Sequence, residues 1–237
     1  MLYNGDCIEV LKTLKTNSID LIFADPPYFL SNGGKSIHSG KVVSVNKGDW
    51  DDKSKYDNHL KFTKDWLTEC YRVLKINGSI WVSGTVHNIF DIKQFLDEIG
   101  FKIINIVVWH KTDPPDLIYK NKLKFSYELI IWASKGYKHT FNYDEMFKIN
   151  DEELQDVWTI PAVVMSEKKF GYHPTQKPEA LLERIILACS NESDIVLDPF
   201  SGSGTTCYVA KKLNRNYVGI EKNEEYFNIS KRRIDSI

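Results

Sequence analysis

The sequence predicts an α/β fold, in which a doubly wound, mostly parallel sheet carries helices on both faces. Strand-like apolar runs alternate with helix-like segments through most of the 237 residues. Two of these runs end in short motifs, at residues 25–28 and 198–206, that are rich in proline or glycine. Because ligands of such sheets bind at the carboxyl ends of the strands, we expect both motifs at one functional edge.

The individual elements follow from hydrophobic spacing and from residues that start or stop helices. The predicted helices cover residues 8–14, 63–74, 89–99, 178–189, 205–213 and 224–234. The predicted strands cover residues 2–3, 19–24, 79–83, 103–109, 127–134, 195–197 and 217–220. Residues 135–172 show no strong period and are predicted to be irregular. Residues 31–58 are polar and contain glycines, and their length indicates a functional loop.

Length and composition indicate one soluble globular domain that spans residues 1–237. No apolar run approaches the ~20 residues that cross a bilayer, and the first residues lack a secretory pattern. We therefore expect a cytoplasmic protein without membrane association. The four cysteines are scattered without zinc-ligand spacing, which predicts reduced, mostly structural thiols and no metal site.

Charge is unevenly distributed along the chain, although the formal net charge is only −1. Residues 102–138 contain seven lysines against three acidic residues, whereas residues 144–156 contain one lysine against six acidic residues. Such asymmetry would orient the protein on a nucleic acid, although a solvated charged face is the commoner explanation for any single run.

The first motif, Asp25-Pro26-Pro27-Tyr28, directly follows the predicted strand at residues 19–24. Its two prolines fix two φ angles and remove two backbone donors, so the turn presents carbonyl oxygens without competing N–H groups. The Asp25 carboxylate and the Pro26 carbonyl would accept both N–H bonds of an exocyclic amine and localise its lone pair. Tyr28 could stack on the base and hold it for attack. The alternative is a structural proline turn with a half-buried tyrosine, and the motif alone leaves both open.

The second motif, at residues 198–206, lies between a predicted strand and a predicted helix. Its glycines allow the backbone to approach a ligand closely, and the helix start presents free N–H groups. Glu221 ends the next strand, where nucleotide-binding sheets hold ribose hydroxyls. Asp198 suits a cationic ligand better than a pyrophosphate. A ligand with a ribose and a positive charge but no phosphate matches S-adenosylmethionine.

Taken together, the motifs resemble those of the DNA amino-methyltransferases, in the beta subgroup whose catalytic tetrapeptide precedes the cofactor glycines. The resemblance extends to residues 66–75, to residues 78–82 and to the His-Pro-Thr-Gln-Lys-Pro segment at 173–178, all in the family's order. These pieces span almost the whole chain. The resemblance implies a seven-stranded methyltransferase-type sheet and methyl transfer from S-adenosylmethionine to DNA.

The resemblance also implies roles for individual residues. Asp25, Pro26, Pro27 and Tyr28 correspond to the catalytic set that binds the amine and stacks on the base. The implied cofactor set comprises Asp6, Cys7, Thr175, Lys177, Asp198, Phe200, Ser201, Gly202, Ser203, Gly204, Thr205 and Glu221.

Within the cofactor set, Asp198 is expected near the methionine amino group and Glu221 on the ribose. Asp6 and Cys7 are expected beside the adenine of the cofactor, and Thr175 and Lys177 at its methionine end. For Cys7 simple packing is an alternative, and for His173, next to this set, the alternative is a helix-start residue without a chemical role.

Aspartate in the first position of the tetrapeptide resembles adenine-N6 enzymes more than cytosine-N4 enzymes. The expected reaction is direct methyl transfer to a base flipped out of the duplex. Recognition of DNA is expected from residues 31–58 and 135–172. The candidate DNA-contacting residues are Lys35, His38, Lys41, Lys47 and Lys122.

Several alternatives remain at this level. A cytosine-N4 DNA methyltransferase or an RNA amino-methyltransferase would share the sheet and the glycine turn. A cofactor-sensing or DNA-binding module without activity is disfavoured because the pocket residues are intact, and a small-molecule methyltransferase is disfavoured because the tetrapeptide suits planar amines. The expected partners are DNA, a second copy of the chain and a cognate restriction endonuclease.

Overall fold

The computed structural model describes residues 1–29, 35–38, 41–44, 51–52, 54, 58–114, 116, 121, 123–150 and 154–237. Its strands are β1 (Leu2–Asn4), β2 (Ile19–Ala24), β3 (Lys35–His38), β4 (Lys41–Ser44), β5 (Leu74–Gly84), β6 (Lys102–His110), β7 (Tyr127–Ser134), β8 (Val157–Thr159), β9 (Ile195–Asp198) and β10 (Asn216–Glu221). Its helices are α1 (Cys7–Thr13), α2 (His59–Val73), α3 (Ile89–Ile99), α4 (Tyr143–Asn150), α5 (Glu179–Cys189), α6 (Thr205–Lys212) and α7 (Glu224–Ile234), with a short 3-10 helix at Met165–Lys168.

Eight of the described strands form one sheet in the order β1-β10-β9-β2-β5-β7-β6-β8. Neighbouring strands pair in parallel except at β7, which is antiparallel to both β5 and β6. Strands β3 and β4 form a separate antiparallel pair. The order places β2 and β9 side by side in the middle of the sheet, so the two sequence motifs leave the sheet next to each other.

Strand β2 shows why the sheet is buried on both faces. Leu21 and Phe23 belong to the apolar cluster that includes α5 and α6, whereas Ile22 and Ala24 belong to the cluster that includes α2 and α3. Because successive side chains of a strand point to opposite faces, a strand covered on both sides reads as a continuous apolar run. This burial fixes the register of β2 and therefore the position of the turn that follows it.

The predicted fold class is confirmed, and most predicted elements agree with the structure to within one residue at either end. Helix α2 begins earlier than predicted because the Asn58 side chain caps it, accepting a hydrogen bond from the backbone N–H of Lys61 at 2.9 Å. Strand β5 begins at Leu74 rather than at residue 79. The β3–β4 pair lies within residues 31–58, which were predicted as a loop.

The predicted strand count of seven was wrong, since the sheet has eight strands among the described residues. The additional strand, β8, lies within residues 135–172, which were predicted to be irregular and also contain α4. Three residues are too few to show a period. Tertiary contacts hold β8 instead: Trp158 is buried with its ring centroid 5.7 Å from that of Trp81. The indole N–H of Trp109 donates to the Ile160 carbonyl at 2.8 Å.

Within the described part of the chain, none of the helices combines the length and apolar character that crossing a membrane would require.

We predict that Trp158→Ala lowers the free energy of unfolding by about 3 kcal/mol, because a large buried ring is removed from the contact between β8 and the sheet. The control is Val157→Ala on the same strand, where the side chain is 54% exposed and the expected change lies within about 0.5 kcal/mol. Chemical unfolding of both variants measures the difference, and equal losses would contradict the anchoring role of Trp158.

Candidate active site

Polar side chains from five strands meet at one edge of the sheet. Asp25 follows β2, Ser83 lies near the end of β5, and Asp198 and Glu221 end β9 and β10. Because β7 runs in the opposite direction, its beginning lies at this same edge and brings Glu128 there. The edge therefore collects four carboxylates from distant parts of the sequence.

Asp25 accepts hydrogen bonds on both carboxylate oxygens. The Tyr28 hydroxyl donates to Oδ1 at 2.7 Å, and the Ser83 hydroxyl donates to the same oxygen. The Lys177 ammonium donates to Oδ2 at 2.5 Å, and this lysine side chain is only 7% exposed. These three donors hold the Asp25 carboxylate in a fixed orientation.

Glu128 extends this network. Its Oε2 accepts from the Tyr28 hydroxyl at 3.2 Å and lies 3.5 Å from the Lys177 ammonium. Its Oε1 accepts from Lys111 at 2.5 Å. Glu128 therefore bridges two lysines and the tyrosine of the Asp-Pro-Pro-Tyr turn.

The protonation states of this network follow from its buried position. Burial raises the pKa of Tyr28, and the carboxylates of Asp25 and Glu128 raise it further, so the hydroxyl stays protonated. Burial alone would lower the pKa of Lys177, but the same two carboxylates outweigh burial and the pKa is raised. Lys177 is therefore a buried cation near neutral pH.

The backbone of the turn is held by Asp51, which is 1% exposed. Its Oδ1 accepts from the backbone N–H groups of Tyr28 and Phe29, both at 2.8 Å. Phe29 has a φ of 58°, a left-handed conformation that non-glycine residues rarely adopt. The segment at residues 31–58 thus contributes a buried carboxylate to the shape of the catalytic turn.

The second motif forms a tight turn between β9 and α6. Gly202 and Gly204 have φ values of 51° and 78°. A Cβ atom built on Gly204 would lie 2.2 Å from the Ser230 hydroxyl oxygen of α7, so both conformation and space require glycine there. The turn packs directly against the last helix.

Two acidic residues, Asp198 in the turn and Glu221 at the end of β10, stabilise the turn by accepting hydrogen bonds from it. Asp198 accepts from the Phe200 N–H at 2.9 Å and from the Thr206 hydroxyl at 2.6 Å. Burial raises the pKa of Asp198 to about 7, with a smaller contribution from Asp25 and Glu221. Glu221 accepts from the Gly202 N–H at 2.8 Å, and burial raises its pKa as well.

The remaining residues of the predicted cofactor set lie around the same turn. Asp6 caps α1 through the Ile8 N–H at 3.0 Å and pairs with Lys222 at 3.2 Å. Cys7 is buried, and burial raises the pKa of its thiol. The Phe200 ring makes an edge contact with Trp66, with 5.2 Å between centroids. Three further members of the turn are buried: Ser201, Ser203 and Thr205.

His173 lies against the glycine turn. A Cβ atom on Gly202 would come within 3.0 Å of its Nε2 atom, and its ring centroid lies 4.3 Å from that of Tyr226. Its Nδ1 atom accepts from the Thr175 N–H at 3.3 Å. These contacts place His173 against the glycine turn, with Thr175 bonded to it.

A buried arginine connects the turn to the helices behind it. Arg233 is 1% exposed and donates to the Thr205 hydroxyl at 2.9 Å and to Glu179 at 2.8 Å. It also lies 3.9 Å from Glu167 of the 3-10 helix. The start of α6, the start of α5 and the segment at residues 165–168 are therefore fixed relative to one another.

Three residues of the catalytic network were not predicted from the sequence: Ser83, Glu128 and Asp51. None stands in a motif, and only the strand order brings the first two beside Asp25. Lys177 was predicted for the methionine end of the cofactor, and the structure adds its direct contact with Asp25.

The predicted DNA contacts are not described by the structure. Lys47 and Lys122 lie outside the described residues, as do the side chains of Lys35, His38 and Lys41.

The residues at this edge fit S-adenosylmethionine. Gly202 and Gly204 allow close backbone approach, and the buried Asp198 and the partly buried Glu221 suit a ligand that carries positive charge. The same acids would repel a pyrophosphate. Bound S-adenosylmethionine supplies an electrophilic methyl group on a sulfonium centre.

Comparison with known proteins identifies the family. A family model described as DNA methylase, N6_N4_Mtase, matches residues 19–232. The Type II methyltransferase M2.MboI of Moraxella bovis is 48% identical over 239 residues, which cover 100% of this chain and 88% of that protein. The Type II methyltransferase M2.DpnII of Streptococcus pneumoniae is 47% identical over 240 residues, which cover 100% of this chain and 90% of that protein.

Solved structures show the same architecture. The complex of M1.HpyAVI with SAM superposes with a TM-score of 0.72 at 29% identity, covering 99% of this chain and 98% of that one. The cytosine-N4-specific PvuII DNA methyltransferase superposes with a TM-score of 0.78 at 21% identity, covering 98% of this chain and 85% of that one, which shows the shared fold. The chain belongs to the N6/N4 DNA methylase family and is an S-adenosylmethionine-dependent DNA methyltransferase.

Proposed function

We propose that the chain methylates the exocyclic N6 amine of adenine in DNA. The observation that carries this proposal is the Asp25 carboxylate, which Tyr28, Ser83 and Lys177 fix at the end of β2, next to the glycine turn that follows the neighbouring strand β9. An anionic acceptor beside a rigid proline turn suits an amine whose lone pair is delocalised into a base.

In this mechanism Asp25 and the Pro26 carbonyl accept the two N–H bonds of the target amine. The amine lone pair would form the new N–C bond as the S–C bond of the methyl donor breaks, with its electron pair left on sulfur, and the nitrogen would then release one proton to solvent. Lys177 holds the Asp25 carboxylate in position to accept from the amine. Holding the two reactants in line contributes to the rate enhancement.

The cysteines support direct transfer without a covalent enzyme intermediate. Burial raises the pKa of all four thiols, so each stays protonated near neutral pH. A protonated buried thiol is a poor nucleophile. Direct transfer also requires the target base to leave its stack in the duplex and reach Asp25, which costs a few kcal/mol.

We propose that residues 31–58 and 135–172 recognise DNA, with Lys35, His38, Lys41, Lys47 and Lys122 as candidate contacts. Asp51 supports the first segment, because it ties that segment to the catalytic turn. Alanine substitutions at the five candidate residues are expected to weaken DNA binding, and unchanged affinity would contradict the assignment. We also propose a cytoplasmic location, where DNA is accessible and the four free thiols stay reduced.

Cytosine-N4 methylation is the second candidate, because cytosine also presents an amine next to a ring nitrogen. We expect N6-methyladenine, and not N4-methylcytosine, in nucleosides from DNA treated with the protein and labelled cofactor. RNA treated in parallel should remain unlabelled. Sequencing of modified bases in DNA from cells that express the chain then gives the recognised site.

We predict that Asp25→Ala abolishes methyl transfer while the affinity for S-adenosylmethionine changes little, because the acceptor for the target amine is lost and the glycine turn is intact. A radiolabelled-methyl assay measures turnover, and calorimetry measures cofactor binding. Retained turnover in Asp25→Ala would remove this residue from the catalytic role.

The matched control is Asp20→Ala, near the other end of β2. Asp20 pairs with Lys75 at 2.7 Å and accepts from the Ile195 N–H at 3.0 Å, away from the functional edge. We expect this variant to lose stability and to keep methyl transfer. Loss of transfer in both variants would indicate a general effect on folding.

We predict a pH dependence from Asp198, whose pKa of about 7 in the folded protein lies above the reference value of 3.8. The folded state then binds this proton more tightly than the unfolded state. Its contribution to the free energy of unfolding therefore falls as pH rises from about 4 to about 7. Asp198→Asn removes this component, so the difference in the free energy of unfolding between the variant and the wild type should change between about pH 4 and about pH 7.

Cofactor binding should show the opposite trend. The positively charged cofactor favours the ionised carboxylate, so wild-type affinity should rise between about pH 6 and pH 8. Calorimetric titrations of wild type and Asp198→Asn at several pH values test both effects. A variant that keeps the full pH dependence would exclude Asp198 as its source.

We also propose that two copies of the chain associate, because both candidate recognition segments are short for a recognition domain. Sedimentation at micromolar concentration should show a dimer, and a monomer alone would refute this proposal. A restriction endonuclease partner is proposed from the Type II relatives. DNA that this chain has methylated should resist that nuclease, and cleavage of fully methylated DNA would contradict the pairing.

A further inference from the structure

We propose that Lys177 selects target bases that carry an exocyclic amine: its ammonium donates a hydrogen bond to the N1 atom of the target adenine while Asp25 accepts from the neighbouring N6 amine. This inference rests on the proposed function, because it assigns the part of the same site that reads the base.

The geometry places a donor directly beside the acceptor. The Lys177 ammonium lies 2.5 Å from Asp25 Oδ2, so any amine that binds Asp25 also comes close to this ammonium. Lys177 is 7% exposed, and the Tyr28 ring centroid lies 5.5 Å away. The donor and the acceptor form one short polar strip beside the aromatic ring proposed to stack on the base.

One of the three N–H groups of the Lys177 ammonium is available to a ligand. A lysine ammonium has three N–H donors. Among the described residues, two of them are directed at the carboxylates of Asp25 and Glu128, and no third hydrogen-bond acceptor lies within bonding distance. Burying a charged donor without a partner is costly, so a ligand atom that accepts from it is favoured.

The strip matches the Watson–Crick edge of adenine. That edge presents an amine donor next to the N1 acceptor, so an acceptor next to a donor is its complement, and flipped bases are commonly read on this edge. Cytosine presents the same order with N4 and N3. Guanine and thymine present a carbonyl next to an N–H at the corresponding positions. Their carbonyl acceptor would face the Asp25 acceptor, and their N–H donor would face the Lys177 donor. The pair therefore selects amino bases, and it covers the more basic N1 atom so that the methyl group reaches N6.

Neighbouring residues hold Lys177 in this position. Glu128 lies 3.5 Å from the ammonium and is itself paired with Lys111 at 2.5 Å. Pro178 directly follows Lys177 and precedes α5. The simpler explanation for Lys177 is neutralisation of two buried carboxylates, which would require no contact with the base. Substrates that lack single ring nitrogens separate the two explanations.

The test uses DNA that carries the recognised site with adenine, 1-deazaadenine or 7-deazaadenine at the target position. For the wild-type protein, kcat/KM on 1-deazaadenine should fall by roughly tenfold to a hundredfold, the range expected for loss of a hydrogen bond to a charged group. The 7-deazaadenine substrate should retain activity within about threefold of adenine, because N7 lies on the other side of the amine. Equal losses on the two analogues would overturn the proposal without any variant.

Variants then connect the effect to the lysine. Lys177→Met removes the ammonium and keeps the side-chain length, so it should react slowly with both adenine and 1-deazaadenine and no longer distinguish them beyond the intrinsic reactivity of the two amines. The matched control is Lys111→Met, which removes a lysine paired with Glu128 but not with Asp25 and should keep the wild-type discrimination. Thermal unfolding and cofactor titration check that both variants are folded.

The outcomes separate this inference from the proposed function. If the wild-type protein transfers no methyl group to adenine, the proposed function fails. If it methylates adenine but the ratio between adenine and 1-deazaadenine is the same in wild type and Lys177→Met, only the role of Lys177 fails. If Lys177→Met does not fold, the comparison of the 1-deazaadenine and 7-deazaadenine substrates on the wild-type protein decides alone, and equal losses on the two overturn the proposal.

Discussion

The ion pair between Asp25 and Lys177 joins parts of the chain that lie 152 residues apart, and the arrangement of the active edge depends on it. The edge gathers the carboxylates of Asp25, Glu128, Asp198 and Glu221 in a largely buried environment. Buried charges of one sign destabilise a fold unless they are paired or protonated. Lys177 pairs with the first two carboxylates. The turn braces the other two with backbone and hydroxyl donors, and their pKa values are raised.

Strand direction explains how such a site is assembled. Parallel strands deliver the ends of β2, β5, β9 and β10 to one edge, as expected for a doubly wound sheet. The single reversed strand, β7, delivers its beginning to the same edge and so contributes Glu128, which bridges Lys177, Lys111 and Tyr28. A parallel β7 would place Glu128 at the opposite edge. The antiparallel direction of β7 therefore contributes a residue to the active site as well as a strand to the sheet.

Local signals explain which parts were predictable. The turn after β2 depends on prolines, whose φ angles are fixed, and the turn after β9 depends on glycines, which adopt positive φ angles, so the sequence reveals both directly. Glu128 and Asp51 instead contact partners that are distant in sequence. Glu128 contacts Lys177, and Asp51 contacts the backbone of Tyr28. No local sequence pattern predicts such contacts. Strand β8 was missed for the same reason, because the contact of Trp158 with Trp81 holds it, and three residues show no period.

The charge of the edge also determines which part of DNA can enter it. Because the four carboxylates outnumber the Lys177 cation, this edge attracts a cationic cofactor and repels phosphate groups, which excludes the nucleic-acid backbone from the place where the reaction occurs. An uncharged base with an amine donor meets no such repulsion. Binding of phosphates must then come from groups outside this edge. A net charge of −1 is therefore compatible with action on a polyanion, because this edge repels phosphate groups and admits an uncharged base.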